Sequence, residues 1–232
     1  SRNFMINSQL LLAWQMIPVE FFHTLYMVIA STLFALIIGL PLGIILTLTA
    51  KGHLKEQPTI HRLLSLLVNT TRSVPFAILM ILLIPLTRLL IGTSLGTTAS
   101  IVPLTIAAIP FAARLIESAL KEVNSGLIEA ALIMGSSPWQ IVYKVMLPEA
   151  LPALILGVTT LMINLIGYSA MAGTMGGGGL GKVAIQYGYQ RFNPILMAIT
   201  VILLIFLVQL IQAVGSWYFN KIIKQRSKGT FS

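Results

Sequence analysis

Four long stretches of the sequence carry no Lys, Arg, Asp or Glu, and this feature limits the folds that the chain can adopt. They are residues 21–50, 89–113, 150–181 and 192–220. Each exceeds the roughly 20 residues that an α-helix needs to cross a bilayer. A charge at the bilayer centre costs about 2.5–3.5 kcal/mol on insertion scales, so charge-free stretches mark where a chain can cross. The four stretches therefore predict transmembrane helices.

The composition also favours a membrane protein over a soluble domain. Hydrophobic residues make up 56% of the 232 residues and charged residues 9%, against about 25% charged in soluble domains. The formal net charge of +9 does not indicate nucleic-acid binding, because the basic residues lie between apolar runs and form no solvated basic patch. The chain has no cysteine, which excludes disulfide bonds and thiolate metal sites.

A fifth span is predicted over residues 63–87, although this stretch contains Arg72. An arginine near one end of a span can extend its guanidinium group to the lipid headgroups, and Arg88 can do so at the other end. The sequence thus predicts an all-α integral membrane protein with five transmembrane helices. Their expected bounds are 21–50, 63–87, 92–114, 150–173 and 194–218.

The distribution of Lys and Arg predicts the orientation, because these residues collect on the cytoplasmic side of membrane proteins. With five spans, one side holds Lys51, Lys55, Arg62, Arg114, Lys121, Lys144, Lys221, Lys224, Arg226 and Lys228. The other side holds Arg2, Arg88, Lys182 and Arg191. The N-terminus is therefore expected outside the cell and the C-terminus in the cytoplasm.

The same pattern divides the chain into segments. Residues 1–20 lack the pattern of a cleavable signal peptide and are expected to lie along the outer face of the membrane. Residues 21–220 form the transmembrane domain, and within it residues 121–148 form a cytoplasmic region. Residues 221–232 are expected to be a basic cytoplasmic tail.

Glycine and proline occur inside several predicted spans. Gly39 and Gly43 in the first span form a pair of small residues four positions apart, which favours close packing of two helices. Pro75 and Pro85 in the second span predict kinks. The sequence therefore predicts perturbed helices without implying a ligand site at these positions.

The cytoplasmic region contains the signals of two short helices with a sharp break between them. Asn124 or Ser125 can cap the first helix, and Glu129 lies near its positive end. Gly135 stands where a left-handed residue is needed to end this helix. The break is thus predicted to follow Met134.

The second short helix has a defined start. Ser137 and Gln140 have the spacing of a capping box, and Pro138 falls at the first helical position. Pro148 is expected to limit this helix to about two to three turns.

An apolar and aromatic stripe runs along this second helix, which is too short to span a membrane. Trp139, Val142, Tyr143 and Met146 fall at helical spacing. The stripe can pack against the protein's own helix ends, or it can dock a soluble partner. The spacing alone leaves both interpretations open.

The region also resembles a known motif. Glu129-Ala130-Ala131, then Gly135, Ile141 and Leu147-Pro148 are similar to the EAA motif of ATP-binding-cassette (ABC) importer permeases. The last element is offset, since Val145 and Met146 stand between Ile141 and Leu147. In that family the helix after the glycine is the coupling helix, which sits in a groove of the nucleotide-binding subunit. The resemblance implies coupling roles for Glu129, Ala130, Ala131, Gly135, Ser136, Ser137, Pro138, Trp139, Ile141, Val142, Leu147 and Pro148.

A longer resemblance covers roughly half of the chain, from about residue 72 to residue 189. The runs RSVPFAILM, IVPLTIAA, GLIEAALIMG and VMLPEALP resemble the permeases of bacterial methionine importers. This resemblance implies a type I permease fold in the bacterial inner membrane and a path for L-methionine, extending to D-methionine. An importer for another amino acid is the alternative.

The resemblance further implies partners: a second copy of the chain, two cytoplasmic ABC ATPase subunits, an extracytoplasmic substrate-binding protein and the lipid bilayer. ATP and magnesium would be bound by the ATPase subunits, so this chain is expected to be non-catalytic and to hold no cofactor of its own.

The fourth span is the best candidate for the transport path. Asn164, Tyr168 and Ser169 place polar groups in a segment that is otherwise apolar, and Met171 adds a soft, adaptable side chain. The resemblance favours Met171 as part of a gate. These polar groups can equally bond across helices.

Other classes of protein fit the sequence less well. Gly176, Gly178 and Gly181 match G-x-G-x-x-G, but no acidic residue follows Glu149, and the stretch follows a span instead of a strand. A flexible extracytoplasmic loop is the expected structure there.

Metal, enzyme and secondary-transporter functions are also disfavoured. His53, Glu56 and His61 lie close in sequence but lack the pattern of a metal site. No catalytic pair is evident. The predicted spans hold no acidic residue and no internal repeat that would support ion coupling.

Overall fold

The computed structural model describes residues 2–229, with side chains at residue 11 and from residue 14 to residue 226. The side chains of Arg2 and Lys228, which entered the prediction of orientation, lie outside the described residues. All regular elements within the described chain are helical, which confirms the all-α class. They are α1 (Arg2–Thr49), α2 (Pro58–Ser73), α3 (Phe76–Leu82), α4 (Ile84–Ile91), α5 (Thr97–Lys121), α6 (Ser125–Ile133), α7 (Pro138–Ile141), α8 (Leu147–Ala172), α9 (Gly179–Lys182) and α10 (Pro194–Gly229).

Wider, π-helical turns connect several of these helices. They are Val142–Met146 after α7 and Val183–Tyr189 after α9. Such turns replace i→i−4 hydrogen bonds by i→i−5 bonds and are frequent at functional sites. Residues Gly173–Gly177 after α8 form a kink instead, with non-helical backbone angles at Met175 and Gly176. A wider turn thus precedes α8, the helix that contains the candidate path residues, and a kink follows it.

Within the part of the chain that the structure describes, four segments are long and apolar enough to cross a membrane. They are Trp14–Thr49, Thr97–Lys121, Pro138–Gly177 and Pro194–Arg226. The number of spans becomes five when α2 and α3, which are bent by 101°, count as one span. This range agrees with the expectation of five.

The second span differs from the continuous helix expected over residues 63–87. Helix α2 ends at Ser73, α3 begins at Phe76, and the two axes meet at 101°. Pro75 accounts for the break, because a proline ring disfavours helical geometry in the residue before it, here Val74. A single apolar run in the sequence thus folds as two short helices.

Helix α1 is continuous through the expected segment boundary at residue 20. Glu20 lies inside the apolar segment Trp14–Thr49, and Glu117 lies inside Thr97–Lys121. The apolar helical segments thus extend beyond the charge-free stretches, and each of these two has an acidic residue towards one end. Both carboxylates have basic partners in the structure, which reduces the cost of placing them there.

The contacts between residues of the chain divide the protein into two compact units. The first comprises residues 1–34, 74–108 and 162–212, and the second comprises residues 35–73, 109–161 and 213–232.

Within the second unit, α1 and α5 pack closely at two glycines. A Cβ atom on Gly39 would lie 2.8 Å from the Cβ of Ala112, and one on Gly43 would lie 2.7 Å from the Cβ of Ile116. Real Cβ atoms do not approach this closely, so any larger residue would force the helices apart. The small-residue pair is therefore a packing feature, as the sequence predicted.

Within the first unit, residues 173–182 form a packed segment, which we call the glycine elbow. Gly177, Gly179 and Gly181 are buried, and a Cβ on Gly181 would lie 2.2 Å from the carbonyl oxygen of Ala170. Gly176 and Gly178 adopt φ of +92° and +83°, which glycine tolerates best. The expected flexible loop was wrong: these glycines allow tight turns and close contact.

Candidate functional site

The first part of the candidate site is the end of α6. The side chain of Asn124 caps its start, accepting a hydrogen bond from the N–H of Gly126 at 2.8 Å. At its other end Gly135 has φ of +80°. The N–H of Ser136 donates to the carbonyl of Ala131 at 3.1 Å, and the N–H of Gly135 donates to that of Leu132 at 2.9 Å. This Schellman arrangement fixes where the helix stops.

The second part is the start of α7. The N–H of Gln140 donates to Ser137 Oγ at 3.4 Å, and the N–H of Ser137 donates to Gln140 Oε1 at 2.9 Å. Pro138 occupies the first helical position. The capping box predicted from the sequence is therefore formed. Only residues 134–137 separate α6 from α7, and hydrogen bonds fix both helix ends, so the break is a defined corner.

The second short helix does not stop at Pro148, in contrast to the prediction. Helix α7 continues through the turn Val142–Met146 into α8. Within that turn the N–H of Leu147 donates to the carbonyl of Val142, five residues earlier. A wider turn of this kind accommodates a proline, which has no N–H to donate and would clash in a regular helix.

The predicted stripe is split between the interior and the surface. Val142 and Met146 are 0% and 1% exposed and pack with Ile141, whereas Trp139 and Tyr143 are 45% and 59% exposed. The rings of Trp139 and Tyr143 lie 6.4 Å apart and nearly parallel. One half of the stripe thus serves the protein's own core, and the other half is free to bind a partner.

The exposed half belongs to a larger surface. The end of α6 contributes Leu132, Ile133 and Met134, which are 45%, 87% and 78% exposed. We call Leu132, Ile133, Met134, Trp139 and Tyr143 the apolar patch. Its members Leu132, Ile133 and Met134 were not predicted from the sequence, although three apolar residues directly before a helix-ending glycine have no following turn to cover them. Exposed apolar groups on both sides of a corner are typical of a protein contact site.

The other residues assigned to coupling fall into two groups. Ala131 and Ile141 are buried beneath the corner, and Ser136, Pro138 and Leu147 are partly buried. Glu129, Ala130, Gly135, Ser137 and Pro148 are exposed. The buried group supports the shape of the corner, and the exposed group lies at its surface.

Helix α10 contributes a basic side chain near this region. The guanidinium group of Arg226 donates hydrogen bonds to the backbone carbonyls of Pro148 and Glu149, and it lies 3.5 Å from the Glu149 carboxylate. Lys55 contributes a second, with its ammonium group 5.4 Å from the centre of the Trp139 ring. Cations therefore border the site on two sides.

Three of the four candidate path residues share an exposed face of α8. Asn164, Tyr168 and Met171 are exposed, the last two at 37% and 43%, and their spacing places them on one side of a helix. The Tyr168 ring stacks on that of Phe76 at 4.9 Å. Ser169 is separate, since it is 1% exposed and its hydroxyl donates to the carbonyl of Ile166 at 2.7 Å.

The residues considered for a metal have other partners. Glu56 accepts a hydrogen bond from the N–H of Gly52 at 2.9 Å, and His61 Nδ1 lies 3.0 Å from the carbonyl of Leu46. Burial, with a contribution from Lys121, lowers the pKa of His53. Among the described residues, no group of three or more candidate ligands is arranged to hold a metal ion.

These features define a class of protein: a multi-span membrane transport subunit that carries a rigid corner with an exposed apolar patch. The chain belongs to the family of binding-protein-dependent transport system inner membrane components, which it matches over residues 39–216. It is therefore the non-catalytic membrane component of a transport system, located in the inner membrane. The resemblance to ABC importer permeases is confirmed.

Several known proteins are similar over most of the chain. A probable D-methionine transport system permease protein MetI of Vibrio cholerae is 54% identical over 91% of this chain and 92% of its own length. The D-methionine permease MetI of Escherichia coli K12 is 50% identical over 65% of this chain and 70% of its own length.

Solved structures lead to the same group. One described as an inward-facing conformation of the MetNI methionine ABC transporter superimposes with a TM-score of 0.89 at 45% identity, over 90% of this chain and 97% of that chain. A second crystal form of that transporter superimposes with a TM-score of 0.86 at 47% identity, over 87% of this chain and 93% of that chain. An amino acid ABC transporter with histidines shares the fold. It is 17% identical and superimposes with a TM-score of 0.73 over 94% of this chain and 97% of that chain.

Proposed function

We propose that this chain forms the translocation path of an ATP-driven importer for methionine. The assignment of methionine as the substrate rests on sequence identity. This chain is 46–54% identical, over about nine-tenths of its length, to three permeases named for D-methionine. L-methionine and D-methionine are both candidate substrates. The exposed, polar-lined face of α8 suits a small zwitterion, because it offers hydrogen-bonding groups without a fixed charge.

The working assembly in this proposal contains two copies of the chain, two ABC ATPase subunits and an external binding protein. ATP and magnesium bind to the ATPase subunits, and the apolar patch docks into a groove on each of them. The structure supports this role, because the patch sits on a corner whose two helix ends are fixed by hydrogen bonds. A fixed corner passes on a displacement that a flexible loop would absorb.

The corner lies in the cytoplasm in this proposal, with the N-terminus outside and the C-terminus inside. The excess of Lys and Arg around residues 51–62 and 221–226 supports this orientation. The absence of cysteine allows a direct check. A single cysteine placed at Gly52 should react with a membrane-impermeant maleimide only after the inner face is opened, and one at Gly92 should react in intact cells.

Uptake by the purified complex tests the assignment of methionine as the substrate. Vesicles that carry the chain with its ATPase and binding protein should accumulate radiolabelled L-methionine, and this uptake should require ATP and be reduced by unlabelled D-methionine. Unlabelled histidine or arginine should compete poorly. Uptake of another amino acid with none of methionine would disprove the substrate assignment, and full uptake without the ATPase would disprove the proposed mechanism.

Met171 provides a test of the path. We expect Met171→Ala to change methionine uptake or basal leak by at least about threefold, since the substitution removes a flexible side chain from the exposed face of α8. The measurement is the initial rate of uptake and the leak of preloaded methionine without ATP.

Met162→Ala is the matched control for this substitution. Met162 lies on the same helix nine residues earlier, which is about two and a half turns and so the opposite face. It should leave both rates near the wild-type values. Equal effects of the two substitutions would exclude a specific role of Met171 in the gate.

A further inference from the structure

Glu20 is a buried carboxylate with three polar neighbours, Gly179, His23 and Lys182, in the first unit of the protein. The whole Glu20 residue is 6% exposed. One carboxylate oxygen accepts the N–H of Gly179 at 2.6 Å and lies 3.1 Å from His23 Nδ1, and the other lies 3.1 Å from Lys182 Nζ. These contacts join residues as far as 162 positions apart in the sequence. A group held this way in an apolar segment is expected to have a specific role.

The position of Gly179 shows what the carboxylate does. Gly179 begins α9, which continues through Val183–Tyr189. The first N–H groups of a helix have no partner within that helix and need an external acceptor. Glu20 accepts the first of them, and the hydroxyl of Thr24 accepts the next, from Leu180, at 2.8 Å. Helix α1 therefore caps a helix that lies 159 residues further along the chain.

The local sequence cannot supply this cap. The residue at the capping position is Gly178, which has no side chain, and no side-chain cap forms there. A side chain is also excluded at Gly179, where a Cβ would lie 2.7 Å from Thr24 Oγ1 and 2.8 Å from Met27 Cε. Glycine thus lets α1 approach closely enough for Glu20 and Thr24 to take over the capping role.

Lys182 adds charge compensation without adding an acceptor. Its ammonium group pairs with the second carboxylate oxygen, so the cap remains an ion pair in a region where an isolated charge is unfavourable. Among the described side chains that face Glu20, Lys182 and His23 are the other titratable groups. The capping bond and the ion pair are distinct contacts of one carboxylate and can be separated by substitution.

We propose that Glu20 is a positioning residue for transport, which fixes the glycine elbow at the end of α8 by capping α9 from a distance. The role rests on the proposed function, because α8 carries the candidate path residues. With the cap in place, the elbow keeps one geometry as transport proceeds. Without it, the start of α9 frays and ATP is hydrolysed without a matching movement of substrate.

Three variants separate the capping bond from charge and from folding. Glu20→Gln keeps an oxygen acceptor for the Gly179 N–H but removes the negative charge. Glu20→Leu removes the acceptor, and it should insert readily because leucine is favoured in spans. The charge exchange of Glu20→Lys with Lys182→Glu restores an ion pair but leaves no acceptor at position 20, since an ammonium group only donates.

The first measurement is hydrogen exchange of the backbone amides in residues 179–182 of the assembled complex. We expect exchange to be at least about tenfold faster in Glu20→Leu and in the charge exchange, and within about threefold of wild type in Glu20→Gln. The second is the number of ATP molecules hydrolysed per methionine imported. It should rise at least about fivefold in the same two variants. A purely structural role would lower the yield of complex without changing this ratio.

Glu56→Leu is the matched control, because Glu56 also accepts a backbone N–H, from Gly52, but in an exposed turn. It should leave the ATP ratio unchanged. Unchanged exchange and an unchanged ratio in Glu20→Leu would overturn the proposal, as would Glu20→Gln behaving like Glu20→Leu, or recovery of both values by the charge exchange. Absence of methionine uptake by the wild-type complex would instead disprove the proposed function, and the exchange result would still test the cap.

Discussion

Gly135→Asp should reduce methionine-stimulated ATP hydrolysis by at least about tenfold while the spans remain inserted. Gly135 has φ of +80°, and a residue with a Cβ pays roughly 1–2 kcal/mol in that region. The carboxylate would also stand at the C-terminus of α6, where the helix dipole is negative. An effect of about 1.4 kcal/mol on the rate-limiting step corresponds to a tenfold change in rate.

The reason for a functional effect is that the strain falls on the corner itself. Space is not the problem, because no described atom lies within 4 Å of a Cβ at this position. The substitution instead weakens the Schellman bonds from Gly135 and Ser136 that set the direction of the chain before α7. The apolar residues on the two sides of the corner then no longer hold one arrangement for the ATPase subunit to bind.

Gly92→Asp is the matched control. Gly92 also ends a helix, α4, with φ of +86°, and it too has no described atom within 4 Å of its Cβ position. The two substitutions therefore carry similar local strain and the same charge at a helix end. Both variants should insert with similar yield, but ATP hydrolysis should fall only in Gly135→Asp. Normal transport by Gly135→Asp would refute the assigned coupling role.

Trp139→Ala should weaken assembly with the ATPase subunit by at least about 30-fold, which corresponds to about 2 kcal/mol. Trp139 is the largest side chain of the apolar patch, and it is stacked on Tyr143 with Lys55 over its ring. Aromatic anchors of this kind dominate the binding energy of protein interfaces. The measurement is co-purification of the ATPase with the chain, followed by titration of the ATPase into the isolated permease.

A near-equivalent tryptophan elsewhere provides the control. Trp217 is 57% exposed, its ring contacts that of Tyr218 at 4.8 Å, and Lys221 lies 5.1 Å from its centre. Trp217→Ala removes a similar exposed aromatic from outside the patch and should leave assembly unchanged. If Trp139→Ala co-purifies with the ATPase as well as Trp217→Ala does, the patch is not the docking surface.

The parts of the fold that the sequence predicted well depend on local chemistry. The capping box of Ser137 and Gln140, the left-handed Gly135 and the cap at Asn124 each involve residues within five positions of one another. The long spans follow from apolar runs that no soluble core could bury. Gly39 and Gly43 were recognisable because small residues four apart share one helix face.

The parts that were missed depend on tertiary context. An apolar run containing Pro75 is compatible with a kinked span and with the break of 101° that the structure has, and the run itself does not distinguish the two. The continuation past Pro148 requires a wider turn, for which the sequence has no established signal. The capping of Gly179 by Glu20 joins residues 159 positions apart, so no local pattern predicts it, and the predicted first span began one residue after Glu20.

The capping of α9 by Glu20 also has a consequence for biosynthesis. Glu20 leaves the ribosome 159 residues before Gly179, which at about 5–20 residues per second is a delay of roughly 8–30 s. During that interval the carboxylate has neither its N–H donor nor the lysine, and entering the hydrocarbon region unpaired costs about 2.5–3.5 kcal/mol. Newly made α1 therefore lacks the backbone donor and the ion pair that Glu20 has in the folded protein, and this cap can form only after the glycine-rich part of the polypeptide has been synthesised.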